Sequence, residues 1–268
     1  MMNKYKDNTA IGIVTYNRPD FYSKCVKSID PSVGKLYVIN AGTEKISKIK
    51  NVSGDVKGVN KNISVAIAKN SLIRKMRENE ENKYIFILQG DIEIADNTVF
   101  EKYIDTATVT GLWGCLSYGG HGYRNRTSEG VVSPSDSIEY DGAIIDIYTN
   151  SESAFTLYHR NIFREIGFFD ERFADGTEYI DHYCQQYVKG IAPPFWCFPD
   201  IHESWKYIND TSIFDNRDVI RNGGYTKGWE LFKQKRNMYP IQIPKSTKDK
   251  VIEILAGIEK NYGKPLAR

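Results

Sequence analysis

The stretch Tyr84-Ile-Phe-Ile-Leu-Gln-Gly-Asp-Ile-Glu-Ile94 decides the fold class of this chain. Its unbroken apolar run, Ile85-Phe-Ile-Leu88, is typical of a short strand buried on both faces of a parallel sheet. Asp91 and Glu93 follow, one residue apart, where that strand would end. If the chain stays extended, both side chains point to one side and would share a hard cation at the ligand-binding edge of an α/β sheet. A solvated turn before the next helix accounts for the same two acids.

Strands and helices alternate around that stretch. Apolar runs at residues 10–16 and 36–39 predict two earlier strands. Apolar residues spaced three and four apart predict helices after Pro19 and over residues 65–76. Asp96-Asn97-Thr98 would begin a third helix. The order strand, helix, strand, helix, strand, helix predicts a parallel sheet with right-handed crossovers.

The second half of the chain is less regular. Further strands are expected over residues 110–118, 138–148 and 154–158. A long polar loop is expected over residues 119–136, and a helix over residues 178–188. Beyond Trp205 the pattern predicts helices only, the last of them from about residue 247 to residue 260.

Composition is that of an ordinary globular protein. The chain has 268 residues, 41% of them apolar and 26% charged, which is enough to bury a sizeable core. A net charge of +2 is too small to indicate a polyanionic partner by itself. The four cysteines form no CxxC pair, so we expect reduced, structural thiols. Neither a signal peptide nor an apolar run of spanning length is visible, and we therefore expect a cytoplasmic protein without a membrane span.

Four motifs occur in an order that a known family shares. They are Thr15-Tyr-Asn-Arg-Pro19, Lys69-Asn70, Gly90-Asp-Ile-Glu93 and Ile166-Gly-Phe-Phe-Asp-Glu171. With this order and spacing the chain resembles the GT-A glycosyltransferases, and most closely the large inverting family 2 with its bacterial rhamnosyl- and glucosyltransferases. The resemblance implies an α/β fold of GT-A, Rossmann-like type, with a mixed, mostly parallel sheet flanked by helices.

The expected organisation is a single GT-A domain with a helical C-terminal appendage. Residues 1–205 would form the nucleotide-sugar-binding and catalytic domain. Residues 206–268 would form a helical C-terminal extension that acts as a lid or as an acceptor-binding element. The segment from Asn222 to Phe232 loosely resembles a family tail that covers the donor site.

Most of the donor pocket is assigned by the same resemblance. The turn after the first strand would hold the base and ribose, and the residue at position 40 would contact the nucleoside. Asn stands there in place of the family's usual acid, so the identity of the base stays open. Lys69 would lie near the diphosphate, although a solvated helix lysine is the alternative. The implied donor-binding residues are Thr15, Asn17, Arg18, Asn40, Lys69, Asn70 and Asp91.

A divalent cation is part of what the resemblance implies. Asp91 and Glu93 match the family's DxD acids, with Glu in place of the second Asp. Such acids coordinate a cation that bridges the two phosphates, and carboxylates with phosphate oxygens suit Mn²⁺ or Mg²⁺. His202 stands where many of these enzymes supply a late histidine, which makes it a third metal ligand by resemblance. A purely structural histidine is the alternative.

The catalytic base is assigned in the same way. Inverting enzymes need a carboxylate that takes the proton of the acceptor hydroxyl. Glu178-Tyr-Ile-Asp181 resembles the Asp-Tyr-x-Asp motif of the rhamnosyltransferase-like enzymes. Glu178 therefore falls on the base position, with Asp181 as a supporting or alternative acid one helical turn away. Both acids also suit the start of a helix, where negative charge is favourable.

The expected function is metal-dependent transfer of a sugar from a nucleotide-sugar, a UDP-sugar first of all, to a hydroxyl acceptor with inversion. A retaining transferase on the same fold is one alternative. A second is a DNA-modifying glycosyltransferase acting on a hydroxymethylated base, favoured by the basic residues Lys233, Lys235 and Arg236. A nucleotidyltransferase and a non-catalytic nucleotide-sugar binder are alternatives of a different class. The acceptor stays open between a glycan, a lipid-linked precursor, a protein and modified DNA.

Overall fold

The structure is a computed structural model that describes residues 4–46, 52–56, 63–121, 123–150, 153–173, 177–210 and 224–262. The strands are β1 Thr9–Thr15, β2 Lys35–Asn40, β3 Val52–Val56, β4 Tyr84–Gln89, β5 Ile92–Ile94, β6 Asp136–Tyr140, β7 Ala143–Tyr148, β8 Phe155–His159, β9 Phe198–Ile201 and β10 Ile208–Asp210. The α-helices are α1 Pro19–Ser28, α2 Val65–Arg77, α3 Val99–Thr110, α4 Ile162–Glu165, α5 Glu178–Val188, α6 Gly224–Arg236 and α7 Lys248–Tyr262.

The main sheet has the strand order β3-β2-β1-β4-β8. The first four strands are parallel, and β8 closes the edge as an antiparallel partner of β4. Every residue of β1 and the four apolar residues of β4 are buried, as their continuous apolar runs predict. Helix α2 packs against β1 and β2. The predicted mixed, mostly parallel sheet flanked by helices is therefore confirmed.

The end of β4 differs from the expectation of an extended chain. The strand stops at Gln89, Gly90-Asp91 form a turn, and β5 pairs with β10 instead of continuing the main sheet. The Gly90 N–H donates to the Val14 carbonyl at 2.9 Å, which bends the chain against the end of β1. Asp91 therefore lies in a turn, and the chain is extended again only from Ile92 to Ile94.

A second sheet, antiparallel and three-stranded, has the order β6-β7-β9. The single strand expected over residues 138–148 is instead the hairpin of β6 and β7. Its turn is Asp141-Gly142, with φ of 48° and 80°. Two adjacent residues with positive φ are what a tight two-residue hairpin turn requires, and Asp-Gly supplies them at little cost.

The strand expected over residues 110–118 is absent, and only Ser117 makes an isolated bridge, to Thr156. Helix α3 occupies the chain up to Thr110, and Gly111 ends it in a left-handed conformation with φ of 75°. The apolar residues that suggest a strand here, such as Trp113, are buried, but their backbone is irregular. Tertiary packing overrides the local preference of this segment.

The described segments beyond residue 205, namely residues 206–210 and 224–262, pack into the main body. The strand β10 pairs with β5, which sequence analysis did not foresee. Phe232 of α6 and Val251, Leu255 and Ile258 of α7 are buried in the same core cluster as the sheet. The division at residue 205 stays a prediction, and truncation there would strip apolar side chains from that core.

All four cysteines are buried and form no disulfide, as predicted. None of the described helices is long and apolar enough to cross a bilayer.

Asp200 of β9 is a fully buried carboxylate that joins four segments. It accepts hydrogen bonds from the Tyr103 hydroxyl of α3, from the Gly119 N–H at 2.8 Å, from the Ile201 N–H at 2.7 Å and from the Ser204 hydroxyl. Burial raises the pKa of Asp200 to about 7, against the opposing effect of these four donors. This carboxyl therefore holds β9 to the rest of the core.

The stability of the protein should depend on pH through Asp200. Because its pKa is raised from 3.8 to about 7, the folded state binds a proton that the unfolded state has released. This stabilisation is complete below the unfolded pKa and is lost as pH rises to about 7. The free energy of unfolding should therefore fall over that interval, by at most about 1.4 kcal/mol per pH unit for one proton.

Urea unfolding of the wild type, Asp200→Asn and the surface control Asp249→Asn at several pH values checks this. The control should keep the wild-type slope of stability against pH, whereas Asp200→Asn should have a shallower one. Identical slopes in all three proteins would contradict the assignment.

Candidate active site

The carboxyl ends of β1 and β4 meet at Thr15 and Gly90. The Thr15 side chain is buried, and its hydroxyl has no hydrogen-bond partner among the described residues. A Cβ atom at Gly90 would lie 3.2 Å from the Thr15 oxygen, so the two positions are in close contact. A buried hydroxyl of this kind is a hydrogen-bonding position for a ligand, at the edge where α/β sheets bind ligands.

Two asparagines predicted to contact the donor also shape the loops around it. The Asn17 side-chain oxygen accepts hydrogen bonds from the N–H groups of Thr43, at 2.8 Å, and Glu44, at 3.0 Å. Asn40 accepts from the Gly42 N–H at 3.0 Å and donates to the Glu44 carbonyl at 2.6 Å. These amides join the turns after β1 and β2, and their contact with a nucleoside stays a prediction.

Arg18 lies at the same edge. Its guanidinium lies 3.7 Å from the centre of the Phe21 ring and 3.6 Å from Asp20. Tyr16, two residues before Arg18, is 50% exposed, which is high for a tyrosine next to a buried strand. Its ring is available to stack on a planar base. Sequence analysis passed over Tyr16, although an aromatic residue within a polar turn was a visible signal.

Asp91 directly precedes β5, and Glu93 is the middle residue of that strand. Burial above all, and then the carboxylates of Asp91 and Glu93, raise the pKa of the Cys25 thiol in α1. Both acids therefore lie close enough to act on one buried group, and both side chains are partly exposed. Two carboxylates at this position suit a hard cation that takes its other ligands from phosphate oxygens.

His202 is held elsewhere. Its Nδ1 atom lies 3.0 Å from Oδ1 of Asp146. The same oxygen accepts a hydrogen bond from the Ser137 hydroxyl at 2.6 Å, and Oδ2 accepts one from the Glu203 N–H at 2.9 Å. Across the parts of the chain that the structure describes, no three His, Cys, Asp or Glu side chains gather into a metal site. The assignment of Asp91 and Glu93 as metal ligands stays a prediction, and His202 contacts Asp146. The role of His202 as a metal ligand stays a prediction as well.

A buried ion pair lies at the start of α5. The Lys69 ammonium, from α2, donates to Oε1 of Glu178 at 2.8 Å and to the Ser153 hydroxyl at 3.0 Å. Both charged side chains are only 1% exposed. Oε2 of Glu178 is buried as well and accepts no hydrogen bond from the described residues. Lys69 is therefore not a solvated lysine, and its principal contact is the predicted base.

Asn70 secures the segment that precedes α5. Its side-chain oxygen accepts from the Phe169 N–H at 3.0 Å, and its amide donates to the Phe169 carbonyl and to Glu171, both at 2.9 Å. The neighbouring residues Lys69 and Asn70 thus fasten both ends of the chain between residues 169 and 178 to α2. The predicted proximity of Asn70 to a diphosphate stays a prediction.

Asp181 is occupied by the C-terminal helix. Its carboxylate accepts from Lys235 at 2.7 Å, from Arg236 at 2.7 Å and from Gln185 at 3.0 Å, and its side chain is fully buried. We call the contact of Lys235 and Arg236 with Asp181 the docking contact. It secures α6 to the first turn of α5, which is the turn that carries Glu178.

A close approach of backbone supports the docking contact. A Cβ atom at Gly228 of α6 would lie 2.0 Å from the Thr177 hydroxyl oxygen, directly before Glu178. Only glycine permits that distance between the helix and the start of α5.

The basic cluster considered for DNA is used within the protein. Lys235 also contacts Asp170 at 3.0 Å, and Lys233 lies 4.7 Å from the centre of the Tyr239 ring. Arg172 first, and then Lys235, hold the pKa of Asp170 well below its usual range. Two of the three cationic groups therefore neutralise buried or half-buried carboxylates, so the cluster gives no independent support to binding of a polyanion.

Comparison with known proteins supports the fold. No protein-family model matches the sequence. No curated protein matches it either. Among solved structures, the mannosyltransferase PcManGT from Pyrobaculum calidifontis, in complex with GDP-Man and Mn²⁺, is similar with a TM-score of 0.51. The similarity covers 98% of this chain and 72% of that one at 10% sequence identity. The fold is that of a GT-A glycosyltransferase.

Weakening the docking contact should loosen α6. Arg236→Ala removes the bidentate partner of Asp181 and leaves a buried charge undercompensated, which costs about 3 kcal/mol or more when such a pair is broken. Hydrogen–deuterium exchange should become at least about ten-fold faster in α6. The matched control is Lys227→Ala, on the exposed face of the same helix. Equal exchange rates in α6 for both variants would show that the docking contact does not hold the helix.

Proposed function

We propose that this protein is a metal-dependent glycosyltransferase that moves a sugar from a nucleotide-sugar to a hydroxyl acceptor. The observation that carries the proposal is the carboxylate of Glu178, in a fold shared with a mannosyltransferase. One of its oxygens is held by Lys69, and the other accepts no hydrogen bond from the described residues. A carboxylate with one oxygen anchored and one free is suited to proton abstraction.

The donor site of the proposal lies at the ends of β1 and β4. Thr15 offers its buried hydroxyl there, and Tyr16 and Arg18 supply an aromatic ring and a cation beside it. Asp91 and Glu93 would hold Mn²⁺ or Mg²⁺ against the diphosphate. When bound, such a cation stabilises the negative charge of the departing nucleoside diphosphate. The resemblance favours a UDP-sugar, and the GDP-Man of PcManGT makes a GDP-sugar the second donor to examine.

The proposed chemistry is a single displacement with inversion. The acceptor oxygen forms a bond to the anomeric carbon as the bond from that carbon to the phosphate oxygen breaks. The acceptor proton passes to Oε2 of Glu178, and the bonding electrons leave with the nucleoside diphosphate. Asp181 has no part in this step, because its carboxylate is occupied by Lys235 and Arg236.

We propose that α6 covers this site, in line with the expected lid. It packs on Thr177 beside Glu178, whose free oxygen is buried. An acceptor can reach that oxygen only if a covering element moves, and α6 is the element docked on the first turn of α5. Asn222 and Gly223, the first residues of the expected lid, lie outside the described residues. A cytoplasmic location remains part of the proposal.

Donor hydrolysis tests the assignment of both carboxylate sites. A panel of nucleotide-sugars that includes UDP-glucose and GDP-mannose is incubated with the protein and Mn²⁺. Glu178→Gln should lower kcat by about 10²-fold or more, because water is then activated without a base. Asp91→Asn should shift the Mn²⁺ dependence to higher concentration and lower turnover.

The surface variant Asp249→Asn is the control and should match the wild type. Hydrolysis that is unaffected by Asp91→Asn defeats the metal assignment, and hydrolysis that is unaffected by Glu178→Gln defeats the base. Nucleotide-sugar binding without any turnover would favour the non-catalytic binder.

The stereochemistry of the product separates inversion from retention. With an α-linked donor and water as acceptor, proton NMR of the first product should show the β-anomer, because a base at Glu178 acts in one displacement. The spectrum must be recorded before mutarotation, within the first minutes. An α-anomer at that time would favour the retaining alternative on the same fold.

A further inference from the structure

We infer that Lys69 is the residue that positions Glu178, by anchoring Oε1 and supplying the counter-charge, so that Oε2 is the atom that receives the proton. This role differs from the diphosphate contact that the sequence implies for Lys69. The inference rests on the proposed function, since it presumes that Glu178 is the base.

The anchoring is rigid because it comes from three separate elements. Lys69 projects from α2, Ser153 lies two residues before β8, and Glu178 opens α5. The ammonium donates to both partners, at 2.8 Å and 3.0 Å. The rings of Phe169 and Tyr179 lie 5.5 Å and 5.8 Å from it and cover its remaining sides with apolar surface. An ammonium enclosed in this way has no freedom to follow a phosphate.

The charges around Glu178 are few. From α2 it faces Lys69, and from β8 it faces Tyr158. Burial first, and then the Glu178 carboxylate, raise the pKa of Tyr158, which therefore stays a neutral phenol. On its own helix, Asp181 is neutralised by Lys235 and Arg236. Within the described ranges, Lys69 is the cation in direct contact with the Glu178 carboxylate.

The ion pair acts on Glu178 in two ways, as a counter-charge and as an anchor of one carboxylate oxygen. A buried carboxylate without a counter-charge takes up a proton and can no longer accept one. The Lys69 ammonium supplies that counter-charge, and its contact with Oε1 leaves Oε2 as the oxygen that accepts no hydrogen bond from the described residues. Sequence analysis could not pair the two residues, because 109 positions separate them.

The test is the kinetics of three substitutions at position 69, with hydrolysis of UDP-glucose and GDP-mannose in Mn²⁺ as the probe. Lys69→Met should lower kcat by about 10²-fold and leave the donor KM within about three-fold of the wild type. It should also move the acidic limb of the pH–rate profile to higher pH by about one unit or more. Lys69→Arg should restore part of kcat and most of the pH profile, since it keeps the charge. Lys69→Gln should behave like Lys69→Met.

Folding is controlled separately. Lys75→Met, on the exposed side of α2, is the matched lysine control and should leave kcat and the pH profile unchanged. If Lys69→Met unfolds, the neutral double variant Lys69→Met with Glu178→Gln should fold better than Lys69→Met alone, because it leaves no unpaired buried charge. A double variant that is no more stable than Lys69→Met would show that the pair does not exist in solution.

The outcomes separate this inference from the proposed function. A raised donor KM with unchanged kcat in Lys69→Met would return Lys69 to the diphosphate and overturn the inference alone. An inactive Glu178→Gln together with an unshifted pH profile in Lys69→Met would do the same. Full activity in Glu178→Gln, or no turnover of any donor by the wild type, would overturn the base assignment and the inference with it.

Discussion

The contact between the Lys69 ammonium and the Glu178 carboxylate joins the two halves of the molecule at the point where its chemistry is proposed. Two charges that are almost fully buried must be satisfied by each other and by nearby donors, since their separate desolvation would cost several kcal/mol each. This requirement dictates where α2, the entry to β8 and the start of α5 stand relative to one another. Asn70, the next residue of α2, adds the hydrogen bonds that fasten residues 169–171 beside the pair. Without these contacts, the parallel sheet alone would not fix the conformation of the segment before α5.

The C-terminal helices complete that arrangement. The docking contact neutralises Asp181, a second buried acid one turn beyond Glu178, and Gly228 allows α6 to approach Thr177 closely. The start of α5 is thus held by contacts with two helices, α2 and α6. The same contacts give the basic residues Lys235 and Arg236 an internal role, which removes the main reason to consider DNA as acceptor.

The secondary-structure elements that were predicted correctly are those whose sequence signals come from residues close together in the chain. The buried strands β1 and β4 and the helices α2 and α5 follow from apolar periodicity, which is local. The strand expected at residues 110–118 was wrong, because α3 runs on to Thr110 and the following apolar residues pack without strand partners. The turn at Gly90-Asp91 depends on a contact with Val14, and the strand β10 depends on pairing with β5, more than a hundred positions away. No local rule contains that information.

The amino-acid sequence by itself determined the class of fold, the succession of β1, α1, β2, α2, β4 and α3, and the residue types from which a nucleotide-sugar site can be built. By resemblance Asp91 and Glu93 could be named as metal ligands, but the choice of base between Glu178 and Asp181 stayed open. Only the tertiary structure distinguished them, since a carboxylate's role depends on what surrounds it. Asp181 receives two cations and is committed to holding α6, whereas Glu178 receives one and keeps an oxygen free. The burial of an acid and its partners from distant parts of the chain decide whether it is available to accept a proton. Neither can be inferred from the residues next to that acid in the sequence.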